Sequence, residues 1–228
     1  ENFLEKKTEL YFRTDFPYLE EEDISSIIIP ERSWERKNWK NQKQIYFKKK
    51  LILNADDFYE FLGYLLSEGY VYMGKRKKSI GITQNEGDVL EKMISCVKRL
   101  GLKYYIDKSG QKGKVIAIHS VQLAEFLKDF KKIGIPYEIK PKSKRQIKIL
   151  IDAFYLGDGD NSGRKRIFSG VYQKLTDDIQ EFVLKLGYSS NLCKIGNMFT
   201  VTMKKDKVHK FSTIKNPIGG WSDAWMDS

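Results

Sequence analysis

Residues 61–69 read FLGYLLSEG, and residues 151–159 read IDAFYLGDG. Aligned on their last glycine, both stretches have small residues four positions apart: Gly63 and Ser67 in the first, Ala153 and Gly157 in the second. Small residues at this spacing share one helical face and let two helix backbones approach closely. We therefore predict that both stretches are helices and that these four residues pack where the helices meet.

The residue before the last glycine is acidic in both stretches, Glu68 in the first and Asp158 in the second. A helix C-terminus carries partial negative charge, so an exposed carboxylate there costs roughly 0.3–1 kcal/mol. Two such carboxylates at one helix contact would also repel each other, and a divalent cation would offset both effects. Mg²⁺ prefers carboxylate, water and phosphate oxygens. The pair is therefore typical of metal-assisted phosphodiester hydrolysis.

The elements around the two stretches recur in the same order, which indicates an internal duplication. Helix caps, periodicity and turn residues predict helix–strand–strand–helix–strand–strand–helix over residues 54–130 and again over 146–214. In the first helix, Gly69 is the expected C′ glycine. Residues 131–148 carry seven bases and two prolines and are predicted to be a linker. Residues 207–214 are predicted to be the final helix.

The paired stretches resemble the two copies of the LAGLIDADG motif of single-chain homing endonucleases. The resemblance implies an α/β fold made of pseudo-twofold duplicated αββαββα LAGLIDADG repeats with two saddle-shaped antiparallel sheets. It divides the chain into an N-terminal extension (1–53), repeat 1 (54–137), repeat 2 (138–214) and a C-terminal tail (215–228). The implied activity is a site-specific, metal-dependent double-strand break in a long asymmetric DNA target.

The resemblance also implies which residues carry the chemistry. Glu68 and Asp158, with the glycines that follow them, Gly69 and Gly159, would hold Mg²⁺ or Mn²⁺. Gln84, late in a predicted strand of repeat 1, matches a glutamine that family members place near the nucleophilic water. Lys205, or its neighbour Lys204, matches a lysine near the scissile phosphate. Neither of these residues has an evident counterpart in the other repeat, so the two cleavage centres are expected to be unequal.

The charge of the chain favours a polyanionic partner, because it carries 41 Lys and Arg against 30 Asp and Glu. Two basic turns occupy equivalent places after the motif helices, and we expect them, with Lys204, to contact DNA phosphates and bases. Their residues are Lys75, Arg76, Lys77 and Lys78 in repeat 1, and Arg164, Lys165 and Arg166 in repeat 2. The basic residues 36–50, near Trp34, Trp39 and Tyr46, predict either a DNA-contacting arm or an extended cover on the core.

Composition also excludes several classes of protein. Two cysteines and two histidines are too few for a disulfide framework or a His-based zinc site, and no apolar run is long enough to span a membrane. We expect a monomeric protein of the cytoplasm of a bacterial, phage or archaeal host, or of an organelle, and not a secreted one.

Residues 33–50 and 176–180 are similar to endonuclease domains inserted in inteins. This similarity favours the endonuclease part of an intein embedded in a host protein, with an intron-encoded (intron-homing) or free-standing enzyme still open. Two other readings stay open. One is a LAGLIDADG protein that binds DNA or RNA without cleavage, such as a maturase or transcription regulator. The other is a duplicated basic structural protein.

Overall fold

The computed structural model describes residues 10–13, 21–37, 40, 42–75, 77–107, 113–158, 165–204 and 208–211. Five strands precede the first motif helix: β1 (Leu10–Arg13), β2 (Ser26–Ile29), β3 (Arg32–Lys37), β4 (Lys43–Lys48) and β5 (Leu51–Asn54). Strand β2 pairs with β5 and β3 pairs with β4, both antiparallel. Strands β4 and β5 are separated only by Lys49 and Lys50.

Repeat 1 follows the predicted order of elements. They are α1 (Ala55–Glu68), β6 (Gly69–Met73), β7 (Lys78–Gln84), α2 (Asp88–Arg99), β8 (Tyr104–Asp107), β9 (Lys114–Ile118) and α3 (Val121–Leu127). The helix α1 begins where expected, because the Asn54 side chain accepts a hydrogen bond from the Asp57 amide. The four strands form one antiparallel sheet in the order β6-β7-β9-β8.

The end of α1 differs from the expectation. Gly69 has φ −101° and is extended backbone, so it is not a left-handed C′ glycine. The chain passes directly into β6, where Gly69 pairs with Ile82 of β7. A Cβ at this position would lie 2.7 Å from the Leu65 carbonyl oxygen and 2.6 Å from Leu65 Cδ1. Glycine is required here for space rather than for a positive φ.

The predicted linker, residues 131–148, is largely structured, so that prediction is wrong. It contains most of α4 (Phe130–Ile133), a 3₁₀ turn over Tyr137–Ile139 and the start of α5 (Lys144–Asp158). Buried Asp178, from the next repeat, accepts the Ile135 amide at 2.7 Å. Because a side chain from outside the segment satisfies this backbone, the basic composition and the prolines gave a misleading signal.

Repeat 2 contains β10 (Lys165–Gly170), α6 (Gln173–Lys185), β11 (Ser189–Ile195), β12 (Met198–Lys204) and β13 (Val208–Phe211). Its sheet has the order β10-β12-β11, which matches β7-β9-β8 of repeat 1. The counterpart of β6 would fall within 159–164, outside the described residues. Strand β13 pairs with β1, so the final helix predicted over 207–214 is wrong at residues 208–211.

The core lies between the sheets and the helices, with α1 and α5 at its centre. Phe58, Phe61 and Leu62 of α1 and Leu150 and Phe154 of α5 are completely buried. The prediction of an α/β fold with antiparallel sheets is confirmed. Within the described part of the chain, no helix combines the length and apolarity needed to cross a membrane.

Candidate active site and nucleic-acid interface

The two motif helices pack in parallel through their small residues. A Cβ on Gly63 of α1 would lie 2.5 Å from the Leu150 carbonyl oxygen, 2.7 Å from Ala153 Cβ and 2.8 Å from the Phe154 amide nitrogen of α5. These distances are shorter than van der Waals contact, so only glycine fits. The two backbones therefore touch at Gly63.

The same helices meet again at their C-terminal ends. A Cβ on Gly157 would collide with the Ser67 hydroxyl and would lie 3.0 Å from Glu68 Cγ. The Ser67 hydroxyl donates to the carbonyls of Gly63 and Tyr64, both at 3.1 Å, so it adds no unpaired donor to the contact. The side chain of Glu68 thus lies beside the residue that precedes Asp158, the last residue of α5.

Polar contacts fix the opposite ends of the two helices. Arg145 binds Asp56 through two hydrogen bonds of 2.6 and 2.9 Å. Gln146, which is completely buried, donates to Asp56 at 2.9 Å and to the Ile24 carbonyl at 2.7 Å. The Arg145 hydrogen bond, helped by Gln146, outweighs burial and holds the pKa of Asp56 below its usual value. Both helices are thus held in register from end to end.

A lysine provides positive charge at the end of α1. Lys131 Nζ donates to the Gly69 carbonyl oxygen at 2.6 Å. A cation at a helix C-terminus is favourable because it faces the partial negative charge of the last carbonyls. The carboxylate of Glu68 at this end therefore does not by itself require a metal ion, which removes one of the sequence arguments for the metal.

The chemistry of the oxygen donors at this point suits a hard cation. Glu68 offers a carboxylate and Gly69 a carbonyl, the ligand types that Mg²⁺ and Mn²⁺ prefer. The Gly69 oxygen already accepts one hydrogen bond, but a carbonyl has a second lone pair. No cluster of three Asp, Glu, His or Cys that could hold a metal occurs among the described residues. Asp158 ends α5, and Gly159 lies outside the described residues.

The structure describes one of the two expected auxiliary residues, Gln84. Because Gly69 pairs with Ile82, Gln84 lies two residues further along β7, at the end of the sheet where α1 stops. Its side-chain oxygen accepts the Asn85 amide at 2.8 Å. Lys205 lies outside the described residues.

The outer face of the first sheet carries exposed aromatic side chains that sequence reasoning missed. Ile80 and Ile82 point into the core, whereas Tyr70, Tyr72 and Tyr105 are 50, 52 and 41% exposed. Since side chains alternate along a strand, these tyrosines lie on the face away from the helices. The sequence signal that could have identified this face is the pair of tyrosines at alternating positions of β6, Tyr70 and Tyr72.

Two further side chains join this outer face. Tyr105 stacks on the exposed His119 with ring centroids 5.0 Å apart, and Lys77 Nζ donates to the Tyr105 hydroxyl at 3.3 Å. The exposure of His119 beside Tyr105 and Lys77 makes it part of an aromatic and basic surface.

The lysines of the basic turn in repeat 1 differ in their contacts. Lys75 and Lys77 are exposed, but the Lys78 ammonium binds Glu125 of α3 on the helical side of the sheet. Arg76 and Arg164 lie outside the described residues. Lys165 and Arg166 begin β10, and Lys204 ends β12, where residues 165 and 203 pair. By backbone position, Lys165 and Lys204 therefore lie at one end of the second sheet.

The residues similar to intein endonucleases include a buried structural acid. Asp178 is 2% exposed and faces Lys140 Nζ at 2.7 Å, while Lys140 also contacts Glu181 at 2.9 Å. Burial lowers the pKa of Lys140, but the hydrogen bonds that its ammonium donates to Asp178 and Glu181 outweigh burial and raise the pKa. This cluster attaches the segment between the repeats to α6.

Comparison with known proteins agrees with this architecture. The family model of a LAGLIDADG-like domain matches residues 57–134. This match covers 78 of the 228 residues and includes the first of the two motif stretches. A search of the curated proteins finds no match. Among solved structures, the chain is similar to mesophilic variants of the homing endonuclease I-DmoI, with 16% identity and a TM-score of 0.53 over 66% of this chain and 89% of that one.

Complexes of I-DmoI give the same result. The complex with DNA and manganese has a TM-score of 0.53 at 16% identity, covering 66% of this chain and 90% of that one. The complex with DNA and calcium has a TM-score of 0.52 at 16% identity, covering 66% and 83%. At this identity the likeness shows the fold alone. The protein therefore has the LAGLIDADG fold, as the paired motifs predicted.

Proposed function

We propose that this LAGLIDADG protein is a site-specific DNA endonuclease that cuts both strands of a long, asymmetric duplex target. The observation that carries the proposal is the meeting of α1 and α5, which brings Glu68 against Gly157, next to Asp158. One acid from each repeat at adjoining helix ends is the donor set that metal-assisted phosphodiester hydrolysis uses. The I-DmoI structures of the same fold hold DNA with manganese or calcium.

In this proposal Glu68 and Asp158, with the carbonyls of Gly69 and Gly159, hold Mg²⁺ or Mn²⁺. The bound metal would stabilise the charge that develops on the attacking and leaving oxygens of a phosphodiester. Gln84 would orient a water near the end of α1, and Lys205 would contact the scissile phosphate. Because these two residues lack counterparts in the other repeat, the two strands would be cut by unequal centres.

The remaining residues would bind the duplex. Tyr70, Tyr72 and Tyr105 offer contact area on the outer face of the first sheet, and Lys75 and Lys77 offer phosphate contacts at its edge. Lys165, Arg166 and Lys204 would do the same for the second sheet. Different residues on the two sheets imply a target without twofold symmetry. We further propose that the enzyme acts as a monomer and is the endonuclease part of an intein.

Binding without cleavage is the second candidate, and one contact favours it. Lys131 holds the Gly69 carbonyl, which the endonuclease proposal assigns to the metal. If this lysine keeps a cation away, the protein would bind DNA or RNA in the manner of a maturase or transcription regulator.

The experiment uses supercoiled plasmid that carries the uninterrupted host sequence from the point where the gene is inserted. With Mg²⁺ or Mn²⁺ we expect linear product, and neither Glu68→Gln nor Asp158→Asn should make double-strand breaks, while both should bind the plasmid. Asp152→Asn is the matched control, because Asp152 is an exposed acid of the same helix α5. Full cutting by Glu68→Gln would refute the assignment, and binding without cutting by the wild type would establish the second candidate.

A further inference from the structure

The β3–β4 hairpin has two faces of different chemistry. Directly opposite residues of an antiparallel pair share a face, and Trp34 pairs with Tyr46 while Arg32 pairs with Lys48. The rings of Trp34 and Tyr46 stack with centroids 5.6 Å apart, and the Arg32 guanidinium carbon lies 5.4 Å from the Trp34 ring centroid. This cationic aromatic face is thus two aromatic rings bounded by an arginine and a lysine.

The opposite face is apolar and less basic. It carries Phe47, which is 59% exposed, and Ile45, which is 80% exposed, opposite Ser33 and Glu35. Glu35 forms an ion pair with Lys43 at 3.0 Å. The hairpin is therefore amphipathic, with its aromatic stack and its arginine on one side.

The hairpin is anchored to repeat 1 beside the basic turn. Gln122 of α3 donates to the Pro30 carbonyl at 2.5 Å and to the Lys49 carbonyl at 3.1 Å. Since Pro30 precedes β3 and Lys49 follows β4, Gln122 holds both ends of the hairpin. Arg32 binds Glu125 of α3 at 2.8 Å, and the same carboxylate binds Lys78. Lys78 is the last residue of the basic turn and the first of β7, so the hairpin is attached on the helical side of the first sheet, at the end that carries the basic turn.

The charge of the segment selects the class of partner. Residues 31–50 contain eight Lys and Arg against two Glu, and three of these bases are consecutive at 48–50. We propose that the cationic aromatic face binds the phosphate backbone of duplex DNA that flanks the site covered by the first sheet. This inference rests on the proposed function, because it extends the DNA contact of repeat 1 beyond the motif-bearing sheets.

The geometry of the rings favours a duplex over a single strand. Proteins that bind single strands insert unstacked bases against aromatic faces. Trp34 and Tyr46 stack on each other at an interplanar angle of 15°, so each ring has one face covered, and the Arg32 guanidinium lies over the Trp34 ring. Partly covered rings beside Arg32 and Lys48 suit the sugar and phosphate surface of a paired helix better than a row of stacked single bases.

The test measures how binding to a long mixed-sequence duplex depends on salt. Each lost phosphate contact lowers the slope of log K against log salt by about 0.9, so Lys48→Gln, which removes the lysine of this face, should lower the slope by about 1. The matched control is Lys92→Gln, which removes one exposed lysine of α2 and should leave the slope unchanged. Glu68 is intact in both variants, so plasmid cutting reports on the proposed function separately.

The possible outcomes distinguish DNA binding by the cationic aromatic face from the proposed DNA cleavage. A lower slope in the Lys48 variant only, with the wild type binding duplex more tightly than a single strand of equal length, supports the inference. An unchanged slope in a protein that still binds and cuts DNA overturns the inference about the cationic aromatic face but leaves the proposed endonuclease activity in place. Loss of binding in Ile45→Ser/Phe47→Ser together with an unchanged slope in the lysine variant would show that the apolar face is the contact surface, and it would also overturn the inference.

Discussion

Gly63→Ala tests the close contact of the motif helices. The new Cβ would lie 2.5 Å from the Leu150 carbonyl oxygen and 2.8 Å from the Phe154 nitrogen, and backbone atoms cannot rotate away. Reaching ordinary contact requires the helices to separate by about 1 Å, and overpacking of this kind costs about 1–3 kcal/mol. Alanine gains about 1 kcal/mol in helix propensity. Because the clash involves backbone, we expect the upper end, a net loss of about 2 kcal/mol.

The assay is urea denaturation, supported by thermal unfolding, in which this loss should lower Tm by about 4–8 °C. Gly157→Ala is the matched control, because its Cβ meets the Ser67 hydroxyl first, and that group can rotate. Its loss should be smaller. A Gly63→Ala protein as stable as the wild type, or more stable by the propensity gain, would refute the backbone contact between α1 and α5.

Three further predictions concern charges near the site. Lys131→Met should lower the free energy of unfolding by about 1 kcal/mol, because the Gly69 carbonyl loses a cation at the end of α1; an unchanged urea midpoint would contradict this. Lys140→Met should cost on the order of 3 kcal/mol, because it removes the ammonium that faces buried Asp178; a loss as small as that of a surface ion pair would show that the buried pair is not stabilising. Burial raises the pKa of Glu181, but Lys185 and Lys140 outweigh it and hold the pKa below its ordinary 4.5. A carboxyl with a lowered folded pKa stabilises the fold above its unfolded pKa, so stability should fall as urea titrations move below about pH 4.5, and less so in Glu181→Gln.

The sequence predicts the parts of the fold that depend on local signals. The helix α1 has an N-cap residue, Asn54, and α2 ends at Arg99, shortly before Gly101 with φ +64°, so both could be located within a residue or two. The duplication also followed from sequence, since it needs only the recurrence of helix and strand patterns. Helix caps and turn glycines depend on only a few neighbouring residues, so they can be recognised without knowing the tertiary structure.

Long-range partners explain the failures. The segment before α5 looked like a linker because its ordering comes from Asp178, which lies more than 40 residues downstream. Strand β13 is a strand because β1 pairs with it across most of the chain. Contacts between residues so far apart in the sequence cannot be predicted from the residues next to each of them.

The candidate site was partly predictable for the same reason. Paired small residues and acids predicted the contact between α1 and α5, because equivalent residues of two similar repeats can meet at the pseudo-twofold axis between them. The ammonium of Lys131 at Gly69 and the tyrosines of the outer sheet face were not foreseen. Their positions depend on the register of β6 with β7 and on where α4 lies.

Oxidative crosslinking tests the central claim most directly. The variant Ser67→Cys/Gly157→Cys places two thiols where a Cβ on Gly157 would lie 2.9 Å from the Ser67 Cβ, so an outward shift of less than about 1 Å gives disulfide geometry. We predict rapid, near-complete formation of this disulfide under mild oxidation, seen as a mobility shift on non-reducing gels and absent from Ser67→Cys alone. A double variant that keeps both thiols free would contradict the account, because the C-terminal ends of α1 and α5 would then not meet at Ser67 and Gly157.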